Sequence, residues 1–438
     1  MKKSIGILGG GLSAISLAYF LPRNKYTATI LEKEQQVGGL AKSFRKNGFT
    51  FDIGPHIIFS KDKNILRWMI AMLGKNKRKH YRRNVSYYKR RFVKYPFENG
   101  LHQLPKEDTF ECLYYFLHND FKGKPKNFKD WMYHGFGKGI TEKYLIPYNK
   151  KIWKLDPGNM TLDWAGGRIP KPPAEDIIKS ALGIETEGYT HQLYFYYPLR
   201  GGVQSLVNNI LKKAKARKDI NLQVKTGFEV KHITRKKNKW IVQDTKGEKR
   251  LFDVLVNTMP LHVLGRNGRF LAKKTKQNIK KLHYNSLILA YLGFKGKSPE
   301  NRFAVYFPEP NTLFHRVSFN NYISPYLSPE GYYSVTAEIT FRKGDKLSKM
   351  KDRDIIHHVV RALHNEQMVD KKKLVLSEIA RIVYGYPVFD FNYPIYTKKV
   401  FDDLKNIKDF HFCGRFAEYR YINMNDCIKS AMNLAREL

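Results

Sequence analysis

Cysteine is scarce: Cys112, Cys413 and Cys427 are all that 438 residues contain. An odd, sparse set with no C-x-x-C pair excludes a disulfide framework and a zinc knuckle. Buried or indifferent thiols in a reducing compartment are expected, and hence a cytoplasmic protein. No apolar run reaches about 18 residues without a charge, a glycine or a polar break, so no membrane-spanning helix is expected. There is no internal repeat and no low-complexity segment. G-x-S-x-G, H-E-x-x-H and G-x-x-x-x-G-K-[ST] are all missing, and no metal site is expected.

Acids are also few, 39 against 79 Lys and Arg, for a net charge of +40. Such a field attracts polyanions: an anionic membrane surface, phosphate-bearing substrates or, less expected here, nucleic acid. The lysines are scattered, which suits solvated basic faces. The densest stretch is Lys75 to Lys94, with ten Lys or Arg, no acid, and Tyr81, Tyr87, Tyr88 and Phe92 interleaved. Val85–Tyr88 and Phe92–Tyr95 predict a basic β-hairpin there, with a membrane or RNA surface as the alternative.

What is present suffices for a large core. Hydrophobic residues make up 42% and aromatics 14%, consistent with one very large domain or two to three ordinary ones. The first residues, MKKSIGILGGGLSAISLAYFLPRNK, admit two readings. Two lysines before an apolar run resemble an export signal, but Leu21-Pro22-Arg23 lacks a small-x-small cleavage site. The same stretch reads as strand, glycine turn and helix. Ser4–Leu8 is a short apolar strand, and Gly9-Gly10-Gly11-Leu12-Ser13-Ala14 fits G-x-G-x-x-A. In that pattern Gly9 makes the turn, Gly11 lets a pyrophosphate approach, and Ala14 lets the helix pack closely. A helix over Ile15–Leu21, stopped by Pro22, would aim free N–H groups at the phosphates.

Context strengthens the second reading. Tyr26–Glu32 predicts a second strand ending in an acid, Glu32, placed to accept hydrogen bonds from ribose hydroxyls, with Lys33 beside it. Gln36-Val37-Gly38-Gly39-Leu40-Ala41 then supplies a second glycine pair. That is the pattern of an FAD-binding rather than a nicotinamide domain, and it sets Gly39 and Leu40 against the cofactor.

Further blocks extend the pattern in order: Asp52-Ile53-Gly54-Pro55-His56, Lys150-Lys151-Ile152-Trp153, Tyr197-Pro198-Leu199-Arg200-Gly201-Gly202, Phe228-Glu229-Val230, and Cys413-Gly414-Arg415 running to Tyr421 and Met424-Asn425. With these the chain resembles the flavoprotein superfamily of amine oxidases, protoporphyrinogen oxidase and UDP-galactopyranose mutase, nearest the mutase branch. The resemblance implies an α/β fold: a discontinuous Rossmann-type FAD domain (1–62, 200–262 and 405–438) and an α+β substrate domain (63–199 and 263–404).

It also implies roles. Gly54, Pro55 and His56 would face the flavin ring, Val230 the adenine, and Gly414, Arg415, Tyr421 and Met424 the flavin or its pyrophosphate. Trp153, Arg316 and Tyr421 would meet the substrate, Arg316 through its diphosphate. His56, Arg316 and Tyr421 are the candidate catalytic residues. The reaction implied is conversion of a nucleotide sugar in polysaccharide or glycoconjugate biosynthesis. Two alternatives stand beside it: hydride transfer to FAD from an amine, porphyrinogen or polyene-like substrate, and a flavin-fold binding protein using its basic surface. The sequence departs from the pattern at Leu40, where many relatives carry arginine, and at Asn425, where the mutase carries aspartate. Over Ala165–Tyr189 no segment matches the mutase's mobile substrate-clamping loop.

Overall fold

The computed structural model describes residues 2–162, 164, 171–186 and 193–438. Lys3–Leu8 is a strand whose Ile5, Ile7 and Leu8 are all buried, as a strand covered on both faces must be. It lies at the centre of a five-stranded parallel sheet ordered Phe410–Phe412, Val254–Asn257, Lys3–Leu8, Tyr26–Leu31, Asn221–Lys225. Three separated stretches of chain therefore build one Rossmann-type sheet.

Helices Leu12–Phe20, Gln204–Lys215 and Met424–Glu437 cover one face, where Ile15, Val207, Ile210 and Ile428 share a core with Ile5 and Ile7. An antiparallel meander, Val230–Lys236, Lys239–Asp244 and Lys249–Phe252, covers the other and sets Ile233, Trp240 and Phe252 against Leu8 and Leu255.

The second layer is a seven-stranded sheet ordered 374–387, 284–295, 332–341, 316–319, 304–306, 84–88, 91–94. All its pairs are antiparallel except Ala304–Tyr306 with Asn84–Tyr88. Helix Asp352–Asn365 packs Ile355, Val359 and Leu363 into the cluster on one side of this sheet. A helical layer from Phe97 to Trp153 forms a separate core with Leu287, Tyr386 and Phe389.

The structure shifts several predicted boundaries. The first helix begins at Leu12 rather than Ile15, because Gly11 is its N-cap. The helical run near Trp131 is two helices, Phe128–Ile140 and Ile146–Trp153, joined by a wide turn at Thr141–Leu145; Gly137, at φ 69°, breaks the first. The basic hairpin is Asn84–Tyr88 with Arg91–Lys94, turning at Lys89 and Arg90, both left-handed at φ 46° and 62°. Lys89 is fixed there: its N–H donates to Glu309 Oε1 at 2.6 Å and its ammonium pairs with Asp108 at 2.7 Å. Tyr87 and Tyr88 are buried, so half of the interleaved aromatics are core. Part of the 165–189 stretch, residues 165–170 and 187–189, lies outside the described residues; between them Ala174–Ala181 is helical. All three cysteines are buried and unpaired. No helix of the described residues is long and apolar enough to cross a membrane.

Candidate functional site

The site has two ends. The first lies where strands Lys3–Leu8 and Tyr26–Leu31 finish. Gly38 N–H donates to the Gly10 carbonyl at 2.8 Å, and Gly11 and Gly38 form a β-bridge. Gly39, at φ 58°, lies so close that a Cβ on it would stand 3.1 Å from Gly11 Cα. Two glycine turns thus meet backbone to backbone, and at Gly39 a side chain would be both crowded and strained.

Helix Leu12–Phe20 starts at Gly11 with no side-chain cap and no acid in its first turn. Its first N–H groups are left for an anion, at the positive end of the helix. Ser13 and Ala14 are buried in that first turn. Glu32, 7% exposed, accepts from Gly10 N–H at 2.5 Å and Glu34 N–H at 2.9 Å, so its carboxylate is fixed at the rim of the glycine turn. Lys33 beside it is exposed and 3.8 Å from Glu34, while Leu40 packs on the meander side of the core.

Gly414, at φ 105°, closes on the same helix start; a Cβ there would lie 2.5 Å from Ser13 Oγ. Met424 is buried at the head of the last helix, behind an Asn423–Asp426 capping box. Val230 opens the meander, and its carbonyl accepts from Asn267 Nδ2 at 2.6 Å. Open backbone donors, a close backbone approach at Gly39 and a carboxylate at the strand end fit FAD.

The second end lies against the Gly54–His56 turn. Asp52 anchors that turn: its carboxylate accepts from Ser43 Oγ at 2.6 Å, Tyr197 OH at 2.7 Å and Val203 N–H at 3.1 Å. Burial pushes its carboxyl up to about 6 against those three donors. His56 Nδ1 lies 2.8 Å from the Gly54 carbonyl. Burial first, with the Arg415 and Arg316 charges adding to it, lowers the His56 ring to about 4. The ring is therefore neutral near pH 7. A carbonyl only accepts, so Nδ1 carries the proton and Nε2 presents a lone pair.

Arg316 and Glu338 face each other across paired strands. The guanidinium grips the carboxylate through Nε and through Nη2, the latter at 2.7 Å, with Glu338 only 1% exposed. Among the described residues the Nη1 edge makes no hydrogen bond. Arg415 donates Nη1 to the Ile422 carbonyl at 3.0 Å and Nη2 to the Gly385 carbonyl at 2.9 Å, while its buried Nε has no hydrogen-bond partner among the described residues. Its guanidinium lies 4.6 Å from the Tyr421 ring centroid and 5.5 Å from that of Tyr386, and the two rings meet edge to face at 5.5 Å.

Trp153 stands behind this group. It is 2% exposed, 5.6 Å from the Tyr421 ring, with its indole N–H given to Asn149 Oδ1 at 3.0 Å. Its ring is thus covered by neighbours rather than open for stacking.

Of the residues singled out in the sequence, His56, Arg316, Arg415 and Tyr421 come together. Gly9–Ala14, Glu32, Gly39 and Gly414 come together at the other end. Lys33 follows Glu32 and is exposed. Sequence reasoning missed Glu338 and Tyr386. Glu338 had a signal: it is the lone acid in the apolar strand Tyr332–Phe341, and a buried acid requires a partner. Tyr386, before Pro387 at the end of a long strand, carried none.

Residues 11–438 match the family described as flavin containing amine oxidoreductase. The fold is similar over 100% of this chain and 95% of the other to a crystal structure of reduced UDP-galactopyranose mutase, with a TM-score of 0.88 and 24% identity. An Exiguobacterium sp. 255-15 protein provisionally described as a protoporphyrinogen oxidase is similar over 100% of this chain and 98% of its own, at TM-score 0.76 and 16% identity. The 4,4'-diapophytoene desaturase (4,4'-diaponeurosporene-forming) of Staphylococcus haemolyticus is 41% identical over 58 residues, which is 13% of this chain and 12% of that relative.

Proposed function

The chain belongs to the flavin-containing amine oxidoreductase family, an enzyme family with FAD as cofactor, and from that premise we propose that it converts a nucleotide sugar in the manner of the mutase branch. The observation that carries this reading is the chemistry around His56. Two arginines and two tyrosines gather there, where a polyene or porphyrinogen would need an apolar wall.

Gly11, Leu12 and Ser13 N–H groups and Gly39 would hold the FAD pyrophosphate, Glu32 the ribose, and Gly54–His56 and Gly414–Arg415 the flavin side. FAD, once bound and reduced, supplies an electron-rich ring nitrogen. Glu338 holds the Arg316 plane still, so its Nη1 edge meets a diphosphate without first losing rotamer freedom. The Tyr386 and Tyr421 rings flank the Arg415 guanidinium beside this anion-binding surface. His56 Nε2 would accept a hydrogen bond from a donor such as a sugar hydroxyl, and the neutral ring carries no imidazolium proton to give near pH 7.

The desaturase likeness favours a second reading, hydride removal from an apolar chain, but it extends over only 13% of this chain. Incubating the dithionite-reduced protein with UDP-galactopyranose and resolving the sugar nucleotides by chromatography tests the first reading. A new isomer is expected. An unchanged substrate, together with flavin bleaching by a polyene, would replace it with the second.

A further inference from the structure

We infer that the ribbon formed by strands Arg78–Tyr81 and Tyr194–Tyr197, with Arg200 and Tyr326 beside it, docks this enzyme onto an anionic lipid surface. The two strands pair antiparallel, with Arg78 opposite Tyr197 and Tyr81 opposite Tyr194. Asn76 clasps the Arg200 backbone through two hydrogen bonds of 3.0 and 2.9 Å, drawing the Lys75–Lys77 turn to the same place. Tyr322 OH donates to the Tyr81 carbonyl at 2.6 Å, and the Arg78 and Arg83 charges both act on that hydroxyl. Lys75, Lys77, Arg78, Lys79, Arg83 and Arg200 are exposed, and among the described residues none of them makes an ion pair. By contrast, Lys89, Arg90 and Lys94 in the adjoining hairpin all meet carboxylates. Unpaired like charges held together repel one another, and an anionic surface relieves that repulsion.

Three tyrosines stand out from the ribbon: Tyr81, Tyr194 and Tyr326, 41%, 52% and 47% exposed. Tyrosine suits the headgroup layer, with a ring for the acyl boundary and a hydroxyl for water. Their arrangement argues for lipid over single-stranded RNA, which also favours basic patches with aromatics. The face of Tyr194 is taken by Lys79 Nζ at 4.2 Å and that of Tyr326 by the Arg200 guanidinium at 3.8 Å. Tyr81 meets Tyr194 edge to face at 5.5 Å. One face of two of the three rings is therefore already covered by a cation, which leaves less platform for stacked bases. Strand Tyr194–Tyr197 is also bridged to Ile58, two residues from His56, so the docking surface adjoins the site.

The test uses the FAD-loaded full chain and flotation with vesicles of phosphatidylcholine alone or mixed with phosphatidylserine. The wild type should float with the phosphatidylserine vesicles only and be released by salt. The quadruple variant Arg78→Ser/Lys79→Ser/Arg83→Ser/Arg200→Ser should lose roughly tenfold or more in partitioning. A second variant, Lys273→Ser/Lys274→Ser/Lys276→Ser/Lys280→Ser, removes the same charge from helix Lys273–Lys280 and should bind almost as the wild type does. The flavin spectrum reports that each variant is folded. Equal losses in the two variants would mean that net charge alone acts, and would overturn the inference. So would wild-type binding to single-stranded RNA but not to phosphatidylserine vesicles.

Discussion

At the glycine end of the site, Gly39 reaches Gly11 because Gly39, left-handed at φ 58°, has no side chain to crowd it. At the arginine end, Arg316, Glu338, Tyr386 and Arg415 meet because each side chain has found a partner. The first end is backbone, built within residues 9–39 plus the Gly414 contact. The second is assembled from three strands of the large sheet and the C-terminal block. Harm at the glycine end should come from adding atoms, and harm at the arginine end from removing them.

The largest effect is expected from Glu338→Ala, which leaves the part-buried Arg316 guanidinium without its counter-ion. Loss of one partner of such a pair costs about 3–5 kcal/mol of stability, to be read from denaturant unfolding. Gly39→Val attacks the other end. A strained left-handed valine pressed on Gly11 should cost about 3 kcal/mol, or roughly a hundredfold in FAD affinity, with the arginine cluster intact. If Gly39→Val instead kept its flavin and lost only UDP binding, the division between the ends would fail.

A third variant bears on the turn between them. Folding holds His56 neutral to about pH 4, whereas the unfolded chain takes up the proton near 6.5. The folded pKa is the lower one, so the unfolded state binds more protons between those values. Stability should fall as pH drops from 6.5 to 4, by up to about 3 kcal/mol from this ring. His56→Gln should flatten that part of the stability–pH curve; an unchanged slope would place the ring in water.

The smallest effect is expected from Arg316→Lys, which keeps a charge for Glu338 but loses the flat two-nitrogen fork. Diphosphate binding should weaken about tenfold, near 1.4 kcal/mol, with stability little changed.

How much of this was legible in the sequence follows from the same contrast. The glycine end could be read almost residue by residue, because a turn without side chains followed by a helix and an acid at the next strand's end is a local pattern. Glu32 stood where the spacing placed it. Lys33, next to Glu32, is exposed and 3.8 Å from Glu34. The arginine end could be read only in part. Arg316 and Arg415 were visible, but Glu338 and Tyr386 reach them through strand order, and neither periodicity nor spacing says which strands become neighbours. Trp153 shows the converse: a prominent residue next to a site motif whose ring is enclosed by Trp164, Tyr386 and Tyr421.

The most direct test of the two-ended site is to titrate UDP into the dithionite-reduced, FAD-loaded protein while recording flavin absorbance, with wild type and Arg316→Lys side by side. A saturable spectral shift in the wild type, displaced to about tenfold higher UDP in the variant, is the predicted result. A wild-type flavin spectrum that never responds to UDP would contradict the account.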